Sequence, residues 1–482
     1  MEKSSSDPSL SALLVRLFQH VSRERRSQFF LMLGLTLASS FAEVVSLGAV
    51  LPFIGILTQP EKVFASPAVA VAAQALGIAS AEGLVLPLTV AFAVAALVAS
   101  GLRLVLLWIG IRLANDTGAD LSIEIYRRTL YQPYRVHVAR NSSEIISGIT
   151  QKVATATSVL ISLVSVITSA VLFFAILATL LAIDPMVAAA AALIFGTGYG
   201  IIARLIRHRL VRNSLSIAQE QTQVVKALQE GLGAIRDVLL DGAQAVYCDV
   251  YRKSIFHLQR ANGENAYMNQ FPRYAIEALG MVLISILSYT LSRRSGGIGA
   301  ALPVMAAMAL GAQRLLPLLQ QLYGNWTVVA GSHAALVDVL DLLDQPLPAD
   351  VHQPAPAPLE FRDAISFNNV RFRYSDDGPW VLEGVSLTIP KGARIGFVGG
   401  TGSGKSTALD LMMSLLEPTQ GEVLVDGMPI TSELRRAWQR AIAHVPQSIF
   451  LADSSIAENI AFGVPPEEID MARVRHAASQ AQ

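Results

Sequence analysis

Gly399-Gly-Thr-Gly-Ser-Gly404-Lys405-Ser406-Thr407 fits the phosphate-binding pattern G-x-x-x-x-G-K-[ST]. The apolar run 393–398 before it reads as a buried strand, and 406–416 after it reads as a helix. That strand–loop–helix order gives the pattern its meaning. Glycines let backbone N–H groups turn inward around an anion, and the helix start adds its positive dipole end. Lys405 can then reach terminal phosphates, and the Ser406 hydroxyl can ligate Mg²⁺. Gly399, Gly400, Thr401, Gly402, Ser403, Gly404, Lys405, Ser406 and Thr407 are therefore the candidate nucleotide-binding residues, with ATP and Mg²⁺ the expected ligands.

Around the loop, 365–372, 385–389, 394–398 and 421–425 read as short strands, and Asp426-Gly427 as a hairpin turn. Before them, the proline-rich stretch Asp344–Pro358 is expected to be an extended, semi-rigid linker. Further upstream the texture changes. Of the 482 residues, 52% are hydrophobic and only 15% charged, against about 25% charged in a usual soluble protein. The deficit is concentrated in the first two thirds. A spanning helix needs roughly 20 mostly apolar residues, and six runs there qualify: 29–57, 85–113, 155–183, 186–206, 274–291 and 300–329. The fifth is short and could start near Phe271. The net charge of +0 offers no electrostatic pull on nucleic acid.

Charge also predicts topology. Arg16, Arg23, Arg25 and Arg26 precede the first run, and Arg127, Arg128, Arg135, Arg140 and Lys152 lie between the second and third. Arg204, Arg207, Arg209, Arg212, Lys226, Arg236, Arg252, Lys253 and Arg260 follow the fourth, whereas 58–84 carries Lys62 alone. Positive charge favours the cytoplasmic side, so the N-terminus and the phosphate loop are expected there, with Arg293 and Arg294 the exception. The first run is longer than the apolar core of a signal peptide and is expected to be retained. The lone Cys248 falls in a predicted cytoplasmic segment, where a disulfide is not expected. It reads as a small half-buried side chain.

The segments 114–154 and 207–273 mix charge with helical apolar spacing, so helices should run well past the bilayer. Their tips need turns: Pro133 supplies one, and Gly231, Gly233 or Asp241-Gly242 the other. Such tips could dock on the nucleotide module.

Six runs followed by a phosphate loop resemble an ATP-binding-cassette (ABC) exporter half-transporter. The resemblance implies that Tyr374 is the aromatic that stacks on adenine, a role its flat face suits. It also implies that Val445-Pro-Gln447 is the Q-loop, with Gln447 a catalytic residue that senses Mg²⁺. The run 450–460 after that glutamine is similar to the family's as well. Phe41-Ala-Glu43 through Leu51-Pro-Phe53, with Asn141-Ser-Ser143, looks most like bacterial lipid-linked oligosaccharide flippases. The implied fold is membrane all-α, six transmembrane helices of ABC exporter type, followed by an α/β P-loop NTPase domain. Residues 1–28 would be a cytoplasmic segment, 29–343 the transmembrane domain, 344–358 the linker and 359–482 the nucleotide-binding domain. That domain is expected to be C-terminally incomplete, because the family's signature, the Asp-Glu strand and the switch histidine are not found in this sequence. Phosphoryl transfer needs several such parts at once, so hydrolysis by this chain alone is not expected.

The resemblance further implies an inner-membrane homodimer that moves a lipid-linked or amphipathic substrate outward. A drug or peptide exporter is the alternative within transport. A non-hydrolysing docking or sensing protein is the alternative outside it. Glu43, Arg103, Glu277 and Arg314 fall inside the predicted spans at a shared depth of roughly 21–26 Å, at ~1.5 Å per residue. Charges at such depth pair or face a wet cavity. They are either interhelical ion pairs, Glu43 with Arg103 for example, or substrate residues that meet an anionic head group. The apolar stretch 67–76 is either a short helix on the membrane surface or a loop.

Overall fold

Each of the six apolar runs folds as part of a separate helix longer than the run itself. The computed structural model describes residues 8–58, 61, 64, 80, 82–183, 185–292, 297–348, 351, 353–447 and 449–481. Positions 67–76, 293 and 294 lie outside these. The chain divides into two units, Met1–Gln132 with Val136–Val351, and Pro133–Arg135 with His352–Gln482.

The first unit is helical. Helix α1 (Leu10–His20) starts where Ser9 Oγ accepts the Ala12 N–H. Then come α2 (Arg23–Thr58), α3 (Val85–Leu130), α4 (Tyr134–Ala139), whose first two residues belong to the second unit, and α5 (Ser142–Ser147). A single π turn, Gly148–Lys152, leads into α6 (Val153–Ile183). The remainder is α7 (Pro185–Gly233), α8 (Ile235–Leu240), α9 (Gln244–Ser292), α10 (Gly297–Gly331) and α11 (His333–Leu343).

Helices α3, α7 and α9 have 46, 49 and 49 residues. At 1.5 Å per residue they are about 70 Å long, over twice the roughly 30 Å hydrocarbon core of a bilayer. Three stretches of described residues are long and apolar enough to cross a membrane: Arg23–Ser46, Glu82–Leu130 and Ser142–Thr179. The bent pair Leu315–Gly331 and His333–Leu343, at 55°, brings the count to four if it is one span. The turn at Tyr131–Pro133 falls where the proline predicts it. At the other tip both candidates are used: α7 ends at Gly233, and Asp241-Gly242 closes α8, with Gly242 at φ +63.

Leu13 and Leu17 of α1, Ile125 of α3, Val159 of α6 and Leu336, Leu340 and Leu343 of α11 form one buried cluster. A second joins Phe195, Tyr199 and Leu210 of α7 to Met268 and Ile276 of α9 and Tyr323 of α10. Polar ties finish the packing. Lys152 Nζ meets Asp338 Oδ2 at 2.6 Å, with the lysine side chain almost fully buried. Arg16 and His20 both bind Asp344, His20 Nε2 at 2.7 Å from Oδ1. Burial pushes the Asp344 carboxyl up, but the two α1 bases more than offset this and hold it below the usual range. Arg128 donates to Gln345 O at 2.8 Å and Gln132 to Pro346 O at 2.9 Å, so the start of the linker is fixed from the end of α3 and the turn that follows it.

The second unit carries β1 (Ala364–Phe372), β2 (Leu382–Pro390), β3 (Gln420–Val425) and β4 (Met428–Pro429) in an antiparallel sheet of order β2-β1-β3-β4. Asp426 and Gly427, at φ +51 and +73, make the expected two-residue hairpin turn. The Asp426 carboxylate accepts the N–H groups of Arg362, Asp363 and Ala364 at 2.7–3.0 Å, which holds it below the usual carboxylate range.

Two expectations need correction. The stretch 394–398 is not a strand. Among the described residues nothing pairs with it, and Ile395 and Val398 are 54% and 96% exposed. A central strand of such a sheet exists only with ladder partners to take its N–H and C=O groups. Cys248 is exposed rather than half-buried, because it lies on the solvent side of the polar part of α9.

Candidate functional site

The phosphate loop leads into helix α12 (Lys405–Met412). Gly404 caps that helix at φ +85, and Gly402 sits at φ +83, left-handed conformations that favour glycine. A Cβ on Gly404 would lie 2.7 Å from Leu382 Cδ2 and 3.0 Å from Val381 O, so β2 presses directly on the loop. Around Gly400 and Gly402 there is open space on the Cβ side. Lys405 Nζ donates to Gly399 O at 2.8 Å and Gly400 O at 2.7 Å, which places the cation at the mouth of the loop. Ser406 is exposed at the first turn, while Thr407, Ala408 and Leu411 are buried.

Tyr374 reaches this helix from the end of β1. Its hydroxyl lies 3.2 Å from Thr407 Oγ1, and its ring meets Phe372 edge-on at 4.9 Å. At 41% exposure the ring is anchored at both ends and still accessible, the state needed to stack a base. Pro133–Arg135 belongs to the same unit. Arg135 Nη2 donates to Tyr374 O at 3.1 Å, and burial beside Asp410 and Tyr374 pushes the Tyr134 phenol up. Burial likewise raises the Asp410 carboxyl, an effect His444 partly offsets. Helix α13 (Ser432–Gln439) holds the far end of α12, through Trp438 Nε1 donating to Met412 O at 2.8 Å.

The described residues fit a nucleoside triphosphate: an accessible aromatic face, a loop with two left-handed glycines, and a lysine and a serine at a helix start. Among the described residues no group of three His, Cys, Asp or Glu side chains could hold a metal. Mg²⁺ takes few protein ligands and shares the phosphates of its nucleotide, so the Ser406 hydroxyl suits it. Gln447 is exposed in the irregular segment 442–447, and among the described residues no hydrogen bond links it to the loop. Asn459 carries more local structure than its place in the sequence suggests. Its carboxamide binds Ala452 N at 2.8 Å and Ala452 O at 3.1 Å, closing the loop before α14 (Ile456–Ile460).

Of the four charges in the apolar runs, those described differ in exposure. Glu43 is buried and Arg103 exposed. Glu277 pairs with Arg273 one turn away on its own helix, at 3.5 Å. The Arg314 side chain lies outside the described residues. Sequence reasoning missed the Tyr374–Thr407 contact; no spacing rule links residues 33 apart.

Comparisons with known proteins agree with this geometry. Residues 382–482 match the family model described as ABC transporter. An ATP-dependent lipid A-core flippase of Chromohalobacter salexigens is 28% identical over 378 residues, covering 76% of this chain and 63% of the flippase. The flippase of Cupriavidus metallidurans is 30% identical over 293 residues, covering 58% and 47%. The chain thus spans between about half and two thirds of the length of these relatives. The leukotoxin translocation ATP-binding protein LktB of a Pasteurella haemolytica-like species is 37% identical over 180 residues, covering 37% of this chain and 24% of that protein. A bacterial Atm1-family ABC exporter solved with ATP bound shares the fold at TM-score 0.68 and 21% identity, over 95% of this chain and 76% of that one. The resemblance to ABC exporter half-transporters, read first from motifs, is shared by the family model, the relatives and the fold.

Proposed function

We propose that this chain is a subunit of an ATP-driven ABC exporter that moves a lipid-linked or amphipathic molecule outward across a bacterial inner membrane. The observation that carries the proposal is the built phosphate loop, with Gly402 and Gly404 left-handed and Lys405 at its mouth, in a chain whose upstream unit consists of long apolar helices. In this reading all six runs span the membrane, with the N-terminus and the loop in the cytoplasm. Tyr374 stacks on adenine, Gly399–Thr407 hold the phosphates, and Ser406 and Gln447 take Mg²⁺. Two subunits enclose the nucleotide, and closure shifts the spans between inward- and outward-facing states. Glu43, Arg103, Glu277 and Arg314 are candidate substrate residues.

The flippase matches support a lipid-type substrate over a protein one. The first extends over 378 residues, against 180 for the LktB match, and so covers more of the helical unit. A docking or sensing role without hydrolysis remains the competing class. The test is fluorescent ATP-analogue binding, then vanadate-sensitive ATPase activity, for the protein produced from its native gene in membranes. Lys405→Ala should weaken analogue binding at least tenfold. Binding unaffected by Lys405→Ala would overturn the assignment of the loop, and binding with no ATPase activity would favour the docking role.

A further inference from the structure

A pocket of about 440 Å³ opens in the helical unit where residues 8–10, at the start of α1, meet α7, the end of α10 and the first residue of α11. That volume lies in the range of small-molecule sites, roughly 300–1,000 Å³. Val211 and Ala330 give it apolar wall, and Trp326 adds an indole. Arg207 and His333 are the ionisable side chains in its lining, which holds no aspartate or glutamate.

The walls are tied to one another. His333 Nε2 lies 3.0 Å from Pro8 O. A carbonyl only accepts, so the ring nitrogen donates, and the oxygen that would repel an anion is already engaged. Ser214 Oγ accepts the Ala334 N–H at 2.8 Å, which fixes the start of α11 against α7. On α7, Arg204, Arg207 and Val211 fall at i, i+3 and i+7 and so share one face. Both arginines are exposed, and among the described residues neither has a hydrogen-bond or ion-pair partner. Arg207 directly follows the fourth apolar run, and Trp326 lies near the end of the sixth. With those runs across the bilayer, both residues stand at head-group level, where tryptophan and arginine act as anchors.

We propose that this pocket holds the phosphate of an anionic phospholipid of the inner leaflet, a resident lipid that staples α1 to α7 and α10 and is not itself transported. Basic pockets between helices on the cytoplasmic side suit such head groups. Charge selects the lipid class. A zwitterionic head brings an ammonium as well as a phosphate, and the lining offers the ammonium no carboxylate. A head group of net negative charge needs only the cations that are present. The membrane setting rests on the exporter reading above; the pocket and its charge do not.

The test uses the full chain, stripped of lipid in detergent and given phosphatidylglycerol or phosphatidylcholine of equal acyl length. Retained lipid is read by native mass spectrometry, and ATP-analogue binding is measured on the same samples. The wild type should retain phosphatidylglycerol roughly fivefold over phosphatidylcholine, with or without the analogue. Arg207→Gln should lower phosphatidylglycerol retention roughly five- to tenfold, and Arg207→Lys should recover most of it. Val211→Trp, which fills the pocket and keeps its charge, should lower retention as well. Arg209→Gln, about 200° around the helix from Arg207, should leave it unchanged. An equal loss in Arg209→Gln would show a diffuse positive surface and overturn the proposal, as would retention that survives both Arg207→Gln and Val211→Trp. Release of the lipid by the analogue would make it cargo, and competition by glycerol 1-phosphate as strong as by the lipid would make this a site for free phosphate; either result also overturns it. A wild type that binds the analogue without preferring phosphatidylglycerol sinks the lipid site and leaves the exporter reading standing. Lipid preference without analogue binding does the reverse.

Discussion

Replacing the loop glycines one at a time by alanine should give a graded series set by backbone conformation and free space. Gly400 has open space and no positive φ, so Gly400→Ala should be neutral or slightly stabilising, by up to about 1 kcal/mol through the unfolded chain. Gly402 has the same open space but sits at φ +83, and a Cβ in the left-handed region costs about 1–2 kcal/mol. Gly404 adds a collision to the same strain: its Cβ would lie 2.7 Å from Leu382 Cδ2 and 3.0 Å from Val381 O. The carbonyl belongs to the backbone and cannot swing away. Overpacking of this kind adds about 1–3 kcal/mol, for a total of roughly 2–5. Hydrogen exchange of the Lys405–Met412 amides, followed by mass spectrometry, reads this directly, since about 1.4 kcal/mol is tenfold in opening. Protection should be unchanged in Gly400→Ala, fall roughly five- to thirtyfold in Gly402→Ala, and fall at least thirtyfold in Gly404→Ala. Equal protection in the last two variants, or Gly400→Ala as the most damaging, would refute the reasoning.

Further outcomes follow from the helical unit. Gly118→Ala would put a Cβ 2.0 Å from Thr157 Oγ1 and 3.0 Å from Thr157 Cβ. The β-branched threonine cannot yield, so the melting temperature in detergent should fall by an amount matching about 1–3 kcal/mol, and Thr157→Ala should restore it. In the Lys152–Asp338 pair the lysine side chain is 8% exposed and the aspartate 41%. Asp338→Asn strands a buried ammonium and should cost about 1–3 kcal/mol, discounted for the wet aspartate. Lys152→Met leaves a carboxylate that reaches water and should cost less than ~1.5 kcal/mol in the same melt. The Asp344 carboxyl is held below its ordinary value, so its contribution is complete above the unfolded value of about 3.9 and is lost as pH falls through the lower folded value. Helix α1 should therefore gain exchange only below about pH 4, and Asp344→Asn should remove that acid dependence.

Much of the molecule was legible in the sequence because its determinants are local. The phosphate loop depends on glycines, lysine and serine at fixed spacing, and Gly402 and Gly404 take the left-handed conformations that this spacing implies. The six apolar runs predict helices because each needs only its own backbone to satisfy its hydrogen bonds. Pro133 and Asp426-Gly427 mark turns for equally local reasons.

The tertiary structure decided what depends on distant partners. Residues 394–398 have the composition of a buried strand, but strand pairing requires a neighbour, and among the described residues none is there. The Tyr374 hydroxyl reaches Thr407 because β1 and β2 bring the two together. Carboxamides from residues 221 to 270, on separate helices, line one cavity among α6, α7, α9 and α10, with nothing in either stretch to announce the other. Their shared environment exists only once four helices pack. Sequence sets the chemistry of each side chain, and packing sets which of these chemistries share one enclosed space.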